Sequence, residues 1–445
     1  MQRSQFVRAI SNSIMEPTNY RPRLRPLEMI PMTGADGEVA VVVRDPQGFA
    51  DAAVLSYGAA LLASLMDGSR TVDQIAVEFQ AQVGQPVPAE EVQAFVERLE
   101  AGRLLDSETF RRHRDALLAE YLQAPVRPAA HAGGAYEAEP EALRAQLAGL
   151  FTCETGPGAP GETNSAAAPA AKLRGVLSPH IDLHRGGPAF AWAYKQIAEQ
   201  SAAELFVIFG TAHGPMRNLF SVSRKHFDTP LGRVETDQGF IDSLAAHLDR
   251  VAGDGQSTTL FEDEPAHRTE HSIEFQVLFL HYLLGPRRTF RIVPVLTGSF
   301  HEFLSERTEP INAAPVAQFV EAMRAAEADH GTEVFYVSGG DLAHIGRRFG
   351  DAELLAADRL KAQSDDDHRL LDHACRADSA GFFGHVAQNA DRHRICGLSP
   401  TYTMLQVMRP TRGELLKYSQ AVESDGNSCV SFASLAFYDE RPRRG

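Results

Sequence analysis

From Lys172 onward, short apolar runs rich in β-branched residues alternate with longer segments of amphipathic pattern. The short runs predict strands at Arg174–Leu177, Leu205–Phe209, Arg291–Leu296 and Glu333–Ser338. The longer segments predict helices at Ala189–Glu199, Asp237–Leu248, Ser272–Leu284 and Ala314–Glu327. This alternation favours an α/β fold, a layered and mostly parallel sheet with helices on its flanks. Near the C-terminus, LLKYSQAVE and GNSCVSFASLAFY predict a hairpin that extends or closes the sheet.

Residues 24–122 have a different pattern, which predicts a small module separate from the larger domain at 127–442. A strand pair in GEVAVVVRDP precedes three helical segments, and Thr71 and Gln74 have the spacing of a capping box. The third helix has its apolar residues on one face: Val92, Phe95, Val96 and Leu99. The segment RLLDSE then predicts a short β-wing, and helices closed by a wing are typical of a winged-helix domain.

Two segments predict no packed structure. Residues 1–23 predict a flexible N-terminal arm. Residues 154–171 are rich in Gly, Ala, Pro and Thr, which favours a mobile insert within the larger domain.

Composition narrows the classes of function. The net charge of −15 over 445 residues disfavours nucleic acid as a partner. No apolar run approaches the roughly 20 residues that span a bilayer, and the N-terminus lacks a signal-peptide pattern. We therefore expect a cytoplasmic protein without a membrane partner. The four cysteines form no CxxC pair, which favours neither a zinc ribbon nor a disulfide framework.

Three histidines occupy positions that favour a metal site. His180 in VLSPHID and His213 in VIFGTAHGP each follow a predicted strand, and His271 opens a predicted helix. Ligand sites of open α/β sheets gather at the carboxyl ends of the strands. Because imidazole is the commonest protein ligand of transition metals, we predict that the three side chains bind one ion.

Two further residues are candidates for acid–base chemistry. In VSGGDLAHIGRRFG, Asp341 and His344 are three residues apart, which would place both on one side of a helical turn. Either could transfer protons near the metal. The alternative is that Asp341 caps the following turn and His344 packs at the rim of the crevice.

Other polar residues near the histidines have two interpretations each. Arg185 and Asp182 are candidates for substrate binding, with loop solvation as the alternative. Glu274 is a candidate for substrate binding or for orienting His271, with solvation of the helix face as the alternative. For Glu270, capping of the helix is favoured over a contact with the histidine.

Several ordered blocks between Ala129 and Tyr438 resemble the Memo-like family, also known as AmmeMemoRadiSam system protein B. They include HAGGAYEAEPEALRAQL, LSPHIDLHRGG, VIFGTAHGP, EHSIEFQVLFL, GGDLAHIGRRF and ICGLSPTYTML. The resemblance implies the fold of class III extradiol dioxygenases. Separately, LMDGSRTVDQIA and VERLEAGRLLD resemble the PqqD-like domain, which implies a docking site for a peptide.

The Memo-like resemblance assigns the metal histidines to His180, His213 and His271. It also implies that a cysteine of eukaryotic members falls on Ala343, so a thiolate ligand is expected to be absent. Cys396 is interpreted as a small buried apolar residue. A three-histidine site favours Fe(II), with copper or zinc as alternatives.

Two functions follow from these expectations. The first is an iron-dependent oxidoreductase that acts on a small molecule or a peptide. The alternative is a non-catalytic protein that binds a peptide or partner in the crevice and on the N-terminal module. The two combine if the module captures a peptide that the metal site then modifies.

Overall fold

The computed structural model describes residues 19–33, 37–161 and 171–440. The chain divides between Tyr121 and Leu122 into two compact units, here called the N-terminal and C-terminal units. Most of the predicted N-terminal arm and the second half of the predicted insert lie outside the described residues.

The N-terminal unit begins with a three-stranded antiparallel sheet in the order β1–β2–β3 and continues with helices. The strands are β1 (Glu28–Thr33), β2 (Val39–Arg44) and β3 (Ala53–Ser56). The helices are α1 (Tyr57–Ser64), α2 (Val72–Val83), α3 (Ala89–Ala101) and α4 (Glu108–Gln123), whose last residues belong to the C-terminal unit. Thr71 and Gln74 form the predicted capping box of α2. The four predicted apolar residues of α3 are buried.

The predicted β-wing is not confirmed. In RLLDSE the described backbone makes one isolated bridge, between Leu24 and Leu105, and α4 begins at Glu108. Leu104 and Leu105 are both buried in the core of the unit. Consecutive buried residues cannot alternate between a core face and a solvent face as a wing strand requires. The sheet therefore comes entirely from the strands that precede the helices.

The C-terminal unit contains an eleven-stranded sheet within the described residues. Its strands are β4 (Val126–Arg127), β5 (Lys172–Ser178), β6 (Leu205–Thr211), β7 (Phe220–Val222), β8 (His226–Thr229), β9 (Gly232–Thr236), β10 (Arg291–Thr297), β11 (Val334–Gly339), β12 (His344–Ile345), β13 (Arg412–Val422) and β14 (Cys429–Asp439). The order is β12–β14–β5–β11–β6–β10–β9–β8–β4, with β13 paired to β14 and β7 paired to β10.

Helices flank this sheet: α5 (Pro140–Thr152), α6 (Leu183–Gln200), α7 (Gln238–Ala252), α8 (Thr259–Glu262), α9 (His271–Leu284), α10 (His301–Glu306), α11 (Ala314–Asp329), α12 (Ala357–Cys375), α13 (Ser379–Gln388) and α14 (Leu398–Met408). In the part of the chain that the structure describes, no helix has both the length and the apolar character needed to cross a membrane.

The centre of the sheet is parallel. Strands β5, β11, β6, β10 and β9 run in the same direction, whereas the C-terminal hairpin β13–β14 adds antiparallel to β5. Each predicted strand and helix of the α/β region has its counterpart, and the predicted hairpin extends the sheet. The mixed α/β architecture with flanking helices is therefore confirmed.

Both faces of the central strands are buried. In β6, Phe206 and Ile208 pack in one core cluster with α6 and α9, whereas Val207 and Phe209 pack in the other with α7, α11 and α14. Residues that alternate between two apolar layers explain why the parallel strands have continuous apolar runs.

The first part of the predicted mobile insert lies along α6. Trp192 donates to the Thr155 carbonyl at 3.0 Å, and Lys195 donates to the Pro157 carbonyl at 2.8 Å. The amide of Gly161 donates to Glu199 at 2.8 Å. These bonds hold residues 155–161 against the helix.

A buried ion pair joins the start of the C-terminal unit to α9. The Arg127 guanidinium, which is 0% exposed, donates to Glu274 at 2.6 Å and to the carbonyls of His267 and Glu270 at 2.6 and 2.9 Å. Glu274 also accepts from Tyr136 at 2.5 Å and from two backbone amides of residues 130–131. The pair therefore fixes the first turn of α9 relative to residues 126–136.

We predict that Arg127→Met lowers the free energy of unfolding by about 3–5 kcal/mol, because it leaves the Glu274 carboxylate buried without its cation. Trp192, the single tryptophan, lies in α6 and reports urea unfolding of the C-terminal unit. Arg233→Met removes the exposed partner of Asp228 and serves as the control, with a midpoint close to wild type. Equal midpoints for the two variants would contradict the prediction.

Candidate functional site

The parallel strands place three polar side chains at one edge of the sheet. Strand β11 lies between β5 and β6 and pairs in parallel with both. His180, Asp341 and His213 each come two residues after the end of β5, β11 and β6. Because the strand ends are in register, the three residues lie side by side at the carboxyl edge.

The structure brings the three predicted metal histidines together. A ligand nitrogen of each of His180, His213 and His271 lies within 4.8 Å of the others. Their ring centroids are 4.9, 5.3 and 4.7 Å apart in pairs. His271 reaches this point from the first residue of α9, which packs against β6.

In two of the histidines, a hydrogen bond at Nδ1 determines which ring nitrogen is available to bind a metal ion. His180 Nδ1 lies 3.0 Å from the Gly339 carbonyl, and His213 Nδ1 lies 3.0 Å from a Glu270 oxygen. Both partners are acceptors, so Nδ1 carries the proton and Nε2 keeps its lone pair. Outer hydrogen bonds of this kind orient the histidine ligands of metal sites.

The interpretation of Cys396 as an apolar core residue is wrong, and so is the expectation that the site has no thiol. Cys396 Sγ lies 3.2 Å from His180 Nε2. His180, Asp341 and Cys396 form a second group of ligand atoms within 4.8 Å of one another. Ala343, the position implied by the resemblance, is a buried core residue instead.

The loop that carries Cys396 approaches the end of β11 closely. The Gly397 amide donates to the Asp341 carbonyl at 2.8 Å. A Cβ atom on Gly340 would lie 2.6 Å from the Cα of Gly397, closer than side-chain carbons come to other atoms. Thr211 at the end of β6 donates to the Cys396 carbonyl at 2.9 Å. The thiol is thus held between the ends of two strands.

Asp341 lies inside the site, but not through helical spacing. Its segment is irregular, with His344 in the short strand β12. One Asp341 oxygen accepts from the His180 amide at 2.9 Å, and the other lies 3.7 Å from His180 Nε2. Burial raises the pKa of Asp341 to about 6. A carboxyl group that titrates near neutrality can exchange protons with a substrate.

His344 lies near enough to Asp341 for the two charges to interact. Its predicted role as a proton carrier stays a prediction. Its Nδ1 lies 3.1 Å from the carbonyls of Leu342 and Arg394, and its ring packs edge-on against Phe349. Burial lowers the pKa of His344, although the charge of Asp341 opposes that shift. His344 is therefore neutral near pH 7 and can accept a proton.

The electrostatics favour neutral imidazoles in the deeper part of the site. Burial and the proximity of His213 lower the pKa of His180 to about 3. Burial lowers the pKa of His271 well below its ordinary value. For His213, partial desolvation is outweighed by the charge of Glu270 and the hydrogen bond with it, which raise the pKa. Neutral imidazole is the form that binds metals.

Glu270 caps α9 as predicted and also contacts the histidines. Its carboxylate accepts from the Ser272 amide at 2.9 Å and from the His213 amide at 2.8 Å. The same carboxylate lies 3.0 Å from His213 Nδ1 and 3.3 Å from His271 Nδ1. Despite burial, the two histidines lower the pKa of Glu270 well below its usual range.

Glu274 is not available to a substrate. It is 1% exposed, and its two oxygens accept from Arg127, Tyr136 and two backbone amides, which fills the capacity of a carboxylate. It positions α9 behind His271 instead.

Asp182 and Arg185 are bonded to each other at the start of α6. Asp182 is the N-cap of that helix, and Arg185 Nε donates to it at 2.5 Å. Among the described residues, neither side chain forms a hydrogen bond or ion pair with the three histidines. Their assignment to substrate binding stays a prediction.

Sequence reasoning missed Cys396 as a site residue. Cys396 is 216 positions from His180 along the chain, and the element directly before it is the helix α13. The available signal was the block ICGLSPTYTML, where a cysteine stands at the turn into a helix. Cysteines at the start of a helix are often reactive or metal-binding.

Known proteins similar to this chain are MEMO1 family proteins. One from Aquifex aeolicus is 26% identical over 405 residues, which cover 89% of this chain and 96% of that protein. One from Methanopyrus kandleri is 31% identical over 319 residues, which cover 70% of this chain and 98% of that protein. One from Methanothermobacter thermautotrophicus is 28% identical over 319 residues and is covered over its whole length.

These matches differ in their extent. The archaeal proteins are covered almost completely by 70% of this chain. The match to the Aquifex protein covers 89%, more than residues 122–445 can supply, so it extends into the N-terminal unit.

The family model described as Memo-like protein matches residues 127–436, which carry nearly all of the large sheet and every site residue discussed above. The chain therefore belongs to the Memo-like family.

Proposed function

We propose that this protein binds one redox-active transition-metal ion, iron or copper, and acts as an oxidoreductase on a small molecule or peptide. The observation that carries the proposal is the convergence of His180, His213 and His271 with the Cys396 thiol. His180 belongs to both groups of ligand atoms. Because its Nδ1 is bonded to the Gly339 carbonyl, only Nε2 is free to bind, so the two groups share a single ion.

The donor set supports iron or copper more than magnesium or calcium. Imidazole nitrogens and a thiol are the ligands of transition metals, whereas hard cations take oxygen ligands. The thiol strengthens the case for copper relative to a site of histidines alone, because soft sulfur ligands select Cu(I). Burial raises the pKa of Cys396 well above its ordinary value, so a bound cation is required to hold it as the thiolate.

The remaining groups suit proton transfer to or from a substrate. Such an ion supplies electron transfer and polarisation of a bound oxygen atom. Asp341, with its pKa raised to about 6, can hold or release a proton near pH 7. The side chain of His213 is 41% exposed, which leaves this side of the site accessible to a substrate.

We predict that metal-free wild type takes up one equivalent of Fe(II) or Cu(I). His180→Ala should weaken metal binding by at least about 100-fold, because loss of a residue that only hydrogen-bonds to a ligand already costs up to about that much. Affinity is measured anaerobically by competition with a chelator. His184→Ala is the matched control, because His184 is exposed and belongs to neither ligand group. Equal affinity of wild type and His180→Ala would refute the metal site. Bound metal that cannot be reversibly reduced and reoxidised would refute the redox role.

We also predict that Cys396 supplies a sulfur ligand. Loading wild type with Co(II) should give a thiolate-to-metal charge-transfer band, which Cys396→Ser should abolish while it weakens Cu(I) binding more than Fe(II) binding. Cys153→Ser, at an exposed free cysteine, should keep the band. A band that survives in Cys396→Ser would show that the thiol is not a ligand.

A groove in the N-terminal unit favours a second function, peptide docking, which could supply the metal site with its substrate. The cavity has a volume of about 360 Å³ and lies between α1 and α3. Its apolar lining includes Leu62, Val87 and Phe95, with Glu91 and Arg98 among its charged residues. Apolar pockets flanked by charges are typical of peptide recognition.

The docking proposal predicts that peptides selected from a random display library on the full chain bind in this groove. Ala94→Arg should abolish their binding, because Ala94 is an exposed residue of the lining and the new side chain fills the cavity. Val77→Arg, on the exposed face of α2, should not affect binding. Binding that persists in Ala94→Arg would exclude the groove.

A further inference from the structure

One carboxylate contacts two of the candidate metal ligands at once. Glu270 Oε1 lies 3.0 Å from His213 Nδ1 and 3.3 Å from His271 Nδ1. The two imidazoles are stacked, with ring centroids 4.7 Å apart and an interplanar angle of 22°. Both rings therefore turn the same edge toward Glu270 and the opposite edge away from it.

The carboxylate itself is held rigidly. Glu270 is 5% exposed, and it accepts from the backbone amides of Ser272 and His213. Its own carbonyl accepts from the buried guanidinium of Arg127 at 2.9 Å. Each of these contacts comes from a different part of the chain, so Glu270 ties the end of β6 to the start of α9.

We infer that Glu270 is a positioning residue that keeps the Nδ1 protons of His213 and His271 in place, so that both present Nε2 to the same ion. This inference rests on the proposed metal-binding function. A carboxylate suits this position because its established partners are donors: the His213 ring, which is hydrogen-bonded to it, and two backbone amides. Its charge also favours a proton on the nearby Nδ1 of His271. A glutamine has one accepting oxygen, and its amino group would face donors that it cannot satisfy.

The role differs from helix capping alone. Asp237 caps α7 through the Phe240 amide and contacts Arg291, so it offers a capping carboxylate away from the histidines. Replacing either carboxylate by its amide should affect stability in a similar way. Only the substitution at Glu270 should alter the two imidazoles.

The first measurement uses metal-free full-length protein with ¹⁵N-labelled histidine, in which NMR distinguishes the two neutral tautomers and the imidazolium. In wild type we expect a proton on Nδ1 of both His213 and His271. A wild-type spectrum in which either neutral ring carries its proton on Nε2 alone would overturn the inference, even if Glu270→Gln fails to fold.

The second measurement compares Glu270→Gln with Asp237→Asn. We expect Glu270→Gln to change the tautomer populations of both histidines and to weaken Fe(II) or Cu(I) binding by about 10- to 100-fold. Asp237→Asn should change neither. Unchanged tautomers and affinity in folded Glu270→Gln would overturn the inference. If wild type binds no metal but its tautomers depend on Glu270, the proposed function fails and the positioning role stands.

Discussion

The register of three parallel strands is the constraint on which the site depends. Strands β5, β11 and β6 end side by side, and each delivers one polar residue two positions later. Hydrogen bonding within the sheet fixes the spacing of the strand ends. His180, Asp341 and His213 are therefore held near one another by the backbone of the sheet.

The layers around the sheet complete this arrangement. Apolar side chains on both faces bury the strands, and the buried pair of Arg127 and Glu274 fixes the start of α9, which carries His271. The turn before α14 brings Cys396 to His180 through bonds with the ends of β6 and β11. Burial then keeps His180 and His271 neutral, which preserves their lone pairs for a cation.

The sequence allowed the strand–helix alternation and the three histidines to be predicted, because buried parallel strands have continuous apolar runs and the histidines follow two of them. The wing could not be judged in this way, because the burial of both Leu104 and Leu105 depends on the packing of the folded unit. Cys396 and the shared contacts of Glu270 depend on loops that meet only in the folded chain. The sequence identified Asp341 as a site residue for the wrong reason. Its contact with the His180 amide arises because β5 and β11 are neighbours in the sheet, and not from helical spacing.

The central claim is that these side chains share one ion. Anomalous scattering from crystals of the metal-loaded protein tests it most directly. The account predicts a single peak bound by Nε2 of His180, His213 and His271 and by Cys396 Sγ, at distances close to those known for zinc, about 2.0–2.1 Å for nitrogen and about 2.3 Å for sulfur. A peak bound elsewhere, or one whose ligands exclude His180, would contradict it.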